Sequence, residues 1–148
     1  MQNWDMRMYK ALFQYDVGSQ VLSVDHQPMG IIAAGCSDRI ARIYDSNAPF
    51  RLHGSTKNDS MPISSVNFYK DDILFTAGTD ILKAWNISDD VYLTDNIETG
   101  SKGILHMVVE DKIQQIAFSS GCLSYHQCFL SDINFNGLYS YSNHSIQP

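Results

Sequence analysis

Apolar residues in this chain occur in short, strand-length runs that alternate with groups of turn-forming residues. One such pattern occurs twice without a gap, as VLSVDHQPMGIIAAGCSD from Val21 and as ISSVNFYKDDILFTAGTD from Ile63. In both copies an apolar residue is followed three positions later by valine, then by a polar turn, a short apolar run and an aspartate, Asp38 or Asp80. This order predicts a strand, a hairpin, a second strand and a tight turn.

An aromatic residue followed by Asp or Asn is a second repeated feature, since such a pair ends the short run after each of the two aspartates and also occurs near the amino terminus. The pairs are Trp4-Asp5, Tyr44-Asp45 and Trp85-Asn86, and their aromatic residues are 40 and 41 positions apart. Short strands and turns in a period of about 40 to 45 residues resemble the WD-repeat β-propeller, in which each repeat forms one four-stranded blade. The resemblance implies an all-β fold.

The chain has room for about three and a half blades, which makes the predicted propeller a partial one. We expect a half blade at residues 1–16, complete blades at 20–53 and 62–94, a diverged blade at 103–141 without the closing pair, and a tail at 142–148. In this family the aromatic residues fill the gaps between blades and the turn aspartates hold the hairpins. The positions to which the resemblance gives such structural roles are Trp4, Asp5, Asp38, Tyr44, Asp45, Asp80, Trp85 and Asn86.

Three features narrow the resemblance to the last blades of the non-catalytic WD-repeat subunit of katanin, the microtubule-severing ATPase. Ser37-Asp38-Arg39 followed by Ile43-Tyr44-Asp45 is similar to a late blade of that family. The segment from Gly78 to Trp85 has one residue fewer between aspartate and aromatic than the preceding repeat, as in the family's next-to-last blade. The stretch GILHMVVEDKIQQIAFSSGCLSYHQCFLSDI resembles its final blade, and the similarity runs from Trp4 to Ile133.

The katanin resemblance implies a non-enzymatic scaffold that targets or regulates microtubule severing through its rim loops. Its implied partners are a katanin-type catalytic ATPase subunit and microtubules, at a cytoplasmic, cytoskeleton-associated location. The carboxyl-terminal region with which that family binds the ATPase has no counterpart in this sequence. A general propeller scaffold of another assembly, a truncated fragment without independent function, and an enzyme with its site in a central channel are the alternatives.

Composition and charge exclude several other classes of function. The 148 residues are 44% hydrophobic and 18% charged, as in an ordinary globular domain. Ten Lys and Arg against 16 Asp and Glu leave a net charge of −6 without a basic run, which argues against nucleic acid and anionic membranes as partners. No apolar run approaches the ~18 residues of a membrane span. Three cysteines and an amino terminus without an apolar leader predict an intracellular protein with reduced thiols.

The chemistry-bearing residues form no convincing catalytic or metal-binding pattern. If Cys122, His126 and Cys128 lay on one strand they would share a face, but three ligands at this spacing match no zinc pattern. A nucleophilic pair of Cys36 and His26, expected on adjacent strands, lacks a third group to orient it. Adjacent carboxylates, such as Asp71-Asp72, fall in turns and are expected to be solvated. We therefore expect no catalytic residue, no metal and no cofactor.

Overall fold

A computed structural model describes residues 1–47, 51–57, 59–78, 81–99, 103–110, 112, 115–122, 125–132 and 141–142. After Ser120 it describes the backbone alone. Within these ranges the chain forms fourteen β-strands, and every sheet is antiparallel, as the all-β prediction requires. No helix in the described part is long and apolar enough to cross a membrane.

The strands form four sheets, numbered here I to IV in chain order. Sheet I pairs β1 (Gln2–Asp5) with β2 (Lys10–Gln14). Sheet II contains β3 (Val21–His26), β4 (Ile31–Cys36), β5 (Ala41–Asp45) and β6 (Arg51–Ser55). Sheet III contains β7 (Ser65–Tyr69), β8 (Ile73–Ala77), β9 (Ile81–Asn86) and β10 (Tyr92–Glu98). Sheet IV contains β11 (Ile104–Glu110), β12 (Gln115–Cys122), β13 (Tyr125–Asp132) and β14 (Tyr141–Ser142).

The sequence repeat is also a repeat of strand register. In the β3–β4 hairpin Val24 lies opposite Ala34, and in the β7–β8 hairpin Val66 lies opposite Thr76 at the same offset along the chain. Gly30 closes the first of these hairpins with a φ of 89°, a conformation that favours glycine. Each four-stranded sheet is a meander, so neighbours in sequence are also neighbours in the sheet.

The sheets stack face to face, and the core lies between them. Strand β7 contacts β3 and β4 of sheet II on one side and β11 of sheet IV on the other. Strands β4 and β8 are buried along most of their length because a second strand flanks them on each side and other sheets cover their faces. The core between sheets II and III contains Ala33, Ala41, Ile43, Ile63, Val66, Leu74, Trp85 and Ile87. A second core joins sheets III and IV around Phe75, Leu82, Ile104 and Met107, and a third joins sheets I and II around Val17, Cys36 and Tyr44.

Candidate protein-interaction surface

The aromatic residues of the repeat have different surroundings in each sheet. Trp85, at the end of β9, is 2% exposed in the core between sheets II and III, and its indole N–H donates to Thr76 Oγ1 at 3.0 Å. Tyr44, at the end of β5, is 1% exposed and meets the ring of Tyr15 edge to face, with ring centroids 4.8 Å apart. Desolvation by this burial raises the pKa of Tyr44 to about 12. Trp4 is 51% exposed, because no sheet of the described residues covers it.

The polar residue that follows each aromatic accepts a hydrogen bond from a backbone N–H two residues later. Asp5 Oδ1 accepts from the N–H of Arg7 at 2.9 Å, and Asp45 Oδ1 accepts from the N–H of Asn47 at 2.8 Å. Asn86 Oδ1 accepts from the N–H of Ser88 at 3.1 Å. Asp and Asn make this Asx turn equally well, which explains why either residue can end the strand.

The turn aspartate Asp38 has a different principal partner from the one that the sequence suggests. It lies between β4 and β5, and both terminal nitrogens of Arg42 donate to its carboxylate, at 3.1 and 2.6 Å. This charged pair, more than the backbone N–H bonds expected at a tight turn, lowers the pKa of the Asp38 carboxyl. Asp80, its counterpart in the next repeat, lies outside the described residues. In sheet III, Lys83 takes the place of Arg42 and pairs with Asp59 at 2.9 Å.

Two serines that the sequence analysis missed connect the innermost strands of successive sheets. Ser23 Oγ on β3 accepts from the backbone N–H of Val66 on β7 at 3.1 Å. Ser65, at the equivalent position on β7, accepts from the N–H of Met107 on β11 at the same distance. These bonds satisfy donors along strand edges that have no neighbour in their own sheet. The sequence repeat could have indicated this role, because Ser23 and Ser65 occupy the same position in its two copies.

A groove opens at one end of the boundary between sheets II and III, and we call it the rim groove. Its volume is about 270 Å³, and it is lined by Gln27, Met29, Ile31, His53, Asp71, Asp72, Ile87 and Ser88. The Gln27 amide crosses the boundary and donates to the carbonyls of Lys70 and Asp71, at 2.8 and 3.1 Å. His53 Nε2 lies 3.0 Å from the Ile87 carbonyl. Apolar walls and two adjacent carboxylates therefore share a surface that two sheets hold in place.

A second depression, the sheet I cleft, lies where sheet I meets sheet II. Its volume is about 290 Å³, and Met1, Gln2, Asn3, Phe13, Tyr15, Val24, His26 and Ile32 line it. Apolar side chains form part of its walls, and the amides of Gln2 and Asn3, the His26 ring and the amino-terminal ammonium group of Met1 add polar groups. The cleft is therefore a mixed apolar and polar surface.

The structure separates the residues that the sequence analysis tested for catalysis and metal binding. His26 lies opposite Ile32 and Cys36 opposite Val21, so the two residues are at opposite ends of the β3–β4 hairpin. At a rise of ~3.3 Å per residue they are too far apart to act together. Burial also raises the pKa of the Cys36 thiol.

The cysteine and histidine positions near the end of the chain do not lie on one strand. Cys122 ends β12 opposite Tyr125, whereas His126 and Cys128 lie on β13. Cys122 therefore stands on a different strand from His126 and Cys128, and the three positions do not share the face of one strand. The side chains of these three residues lie outside the described part of the structure. Within the described part, no group of three or more metal-ligating residues occurs.

Comparison with known proteins identifies the fold. No protein-family model matches the chain, and no curated protein matches it. The crystal structure of Saccharomyces cerevisiae Sqt1 is similar with a TM-score of 0.69 and 15% identity, over 86% of this chain and 37% of that one. A chain in the crystal structure of the mitotic checkpoint complex is similar with a TM-score of 0.70 and 15% identity, over 82% of this chain and 39% of that one.

Both neighbours are WD40 propeller proteins. The fold is a partial WD-repeat β-propeller. The chain spans less than two fifths of the length of either neighbour. Sheets II, III and IV are thus propeller blades of four strands each, and sheet I presents two strands. At 15% identity the likeness establishes the fold and leaves the partners to be inferred from the surface.

Proposed function

We propose that this propeller is a non-enzymatic scaffold that binds a protein partner through the rim groove. The groove carries the proposal, because it joins an exposed apolar side chain to fixed polar groups. Met29 at its edge is 71% exposed, and Asp71 and Asp72 add two negative charges beside it. Such a surface favours a partner segment in which an apolar residue lies next to Lys or Arg.

The finer proposal is that the scaffold targets or regulates microtubule severing. Its support is the sequence resemblance to the katanin WD-repeat subunit, carried by the residues from Gly78 to Trp85 and by the unmarked last repeat. The partners would be a katanin-type catalytic ATPase subunit and microtubules, at the cytoskeleton. The net charge of −6 agrees with a groove that binds basic segments of a partner.

The test is binding of the full chain to the catalytic ATPase subunit and to microtubules, in separate pull-down and co-sedimentation assays. The double variant Met29→Lys, Asp71→Lys should weaken binding at least about tenfold, because it removes the apolar contact and reverses a charge. Asp89→Lys is the matched control, since Asp89 is exposed in the bend after β9 and outside the groove. Equal binding by both variants would refute the groove, and failure of the wild type to bind either partner would refute the katanin assignment.

A further inference from the structure

The turn between β1 and β2 presents two large apolar side chains to solvent between two cations, and we call residues 7–10 the sheet I turn. Met8 is 65% exposed and Tyr9 is 82% exposed, and Arg7 and Lys10 on either side of them are also at the surface. Tyr9 has a φ of 49°, a left-handed conformation that glycine adopts with less strain. The geometry of the turn therefore does not require a tyrosine at this position, whereas a contact made by its ring would explain it.

The exposure of this tip does not depend on a neighbouring sheet. In sheet III the turn between β9 and β10 follows the same kind of aromatic and Asx pair, and sheet II packs against that sheet. Ile87, at the start of the turn, is only 4% exposed, but Asp89 and Asp90 at its tip are exposed. Met8 and Tyr9 stand at the same two offsets from the aromatic residue of their own pair. A blade tip therefore reaches solvent even where another sheet stacks beside it.

The rim groove has chemistry that complements the sheet I turn. Met29, Ile31 and Ile87 provide its apolar surface, and Asp71 and Asp72 provide two carboxylates. None of the residues that line the groove belongs to the sheet I turn of the same chain. Equivalent strands of successive blades run in the same direction around a propeller, so the turns after β1 and β9 lie on the same side of the molecule. The groove includes the start of the turn after β9, so it also lies on that side.

We propose that the rim groove binds the sheet I turn of a second copy of this chain, an inference that rests on the groove being the binding site proposed above. The two apolar side chains of the turn contact the apolar surface, and its two cations pair with Asp71 and Asp72. Because turn and groove lie on the same side, a twofold axis midway between them brings each turn to the groove of the other copy. The result is a closed dimer with two identical contacts, in which the second copy competes with a protein partner for the groove.

Charge reversal tests this pairing, with self-association of the full chain measured by analytical ultracentrifugation. The wild type should dimerise with a Kd on the order of 10–100 µM. Lys10→Glu and Asp71→Lys each alter both contacts of the dimer and should raise the Kd at least about tenfold. An equimolar mixture of the two variants should dimerise again, because each turn then meets a groove of opposite charge. Lys57→Glu, at an exposed lysine outside the turn and the groove, is the matched control and should dimerise like the wild type.

Tyr9→Gly separates the contact from the stability of the fold. Glycine suits a φ of 49° better than tyrosine does, so the unfolding temperature should not fall. The Kd of the dimer should still rise at least about tenfold, because the ring is removed from both contacts. A variant that dimerises as tightly as the wild type would overturn the proposal.

The dimer and the proposed function can fail separately. The dimer is overturned if the wild type stays monomeric at about 100 µM, if Lys10→Glu dimerises like the wild type, or if the mixed variants do not associate. Tyr9→Gly leaves the groove intact and should retain binding of a protein partner, whereas the double variant Met29→Lys, Asp71→Lys should lose both interactions. A monomeric chain that binds its partner through the groove refutes the dimer alone. A dimer that responds to these variants in a chain that binds no partner refutes the proposed function alone.

Discussion

Trp85 and Trp4 hold the same place in the repeat and end their strands with the same kind of turn, yet their environments are opposite. Trp85 is 2% exposed and its indole N–H binds Thr76, whereas Trp4 is 51% exposed and its indole N–H donates to Gln2 at the surface. The difference lies in the neighbouring sheet and not in the strand. Sheet II covers Trp85, and none of the described sheets covers Trp4. Burial of the aromatic is therefore a property of two stacked blades.

The largest effect that tests this comparison is expected from Trp85→Ala. Removing the indole leaves a cavity between sheets II and III and an unsatisfied Thr76 hydroxyl, which should lower the free energy of unfolding by about 3–5 kcal/mol. Trp4→Ala should change it by less than about 0.5 kcal/mol, because the side chain is at the surface. Denaturant titration of both variants measures the two effects. Similar losses would contradict the assignment of Trp85 to an interface that Trp4 lacks.

The closeness of sheets II and III can be tested at Gly35 on β4. A Cβ there would lie 2.9 Å from Ile63 Cγ2 and from Val66 Cγ1, which is closer than packed carbon atoms approach. Gly35→Ala should lower the free energy of unfolding by about 1–3 kcal/mol through overpacking. Val66→Ala removes Cγ1, one of the two opposing methyl groups, and the double variant Gly35→Ala, Val66→Ala completes a double-mutant cycle that serves as the control. If the added methyl group causes the strain, the double variant should lose less stability than the sum of the two single losses.

The hydrogen bonds between inner strands predict a smaller effect. Ser65→Ala leaves the N–H of Met107 without its acceptor at a buried position, and we expect a loss of about 1–2 kcal/mol. Ser60→Ala, at an exposed serine near the start of sheet III, should be neutral within about 0.5 kcal/mol. Thermal or chemical unfolding of the two variants gives the comparison. A neutral Ser65→Ala would show that this bond does not hold the blades together.

The all-β fold could be predicted from the sequence because its signals are local. Strand-length apolar runs, turn residues and the spacing of aromatic pairs lie within single repeats, and they indicated a partial propeller. The sequence could not predict the exposure of Trp4, because the pair Trp4-Asp5 reads like Trp85-Asn86 and the difference arises from a neighbouring sheet. Packing between sheets involves residues that are far apart in the chain, so it cannot be predicted from a short segment of sequence.

The candidate interaction surfaces show the same limit. The sequence predicted that Asp71 and Asp72 lie in a turn. It could not predict the rim groove, because Met29 and His53 belong to a different sheet and line the groove only when sheets II and III stack. The shared role of Ser23 and Ser65 could have been predicted, since the two serines occupy the same position in the two copies of the repeat. Their partners on the next sheet lie 43 and 42 residues further along the chain, at the spacing of one blade.

The smallest expected effect concerns the ion pair of Asp38 and Arg42, which lies within one sheet and does not depend on stacked blades. The pKa of the Asp38 carboxyl is lowered from its ordinary value of 3.8, first by the Arg42 hydrogen bonds. A carboxyl whose pKa is lowered in the folded state stabilises the fold at pH values above its ordinary pKa, and this contribution is lost as the pH falls through the folded-state pKa.

Asp38→Asn should therefore reduce stability at pH 7 by about 0.5–1 kcal/mol, as is usual for a solvent-accessible pair. The difference from wild type should shrink as pH falls below 3.8, because the carboxyl of the unfolded chain is protonated first and that of the folded chain follows at its lower pKa. Asp89→Asn, at an exposed bend position, is the control. Denaturant titrations at pH 7 and pH 3 measure this effect, and a difference that stays constant between the two pH values would show that the Arg42 pair does not contribute to stability through the charge of Asp38.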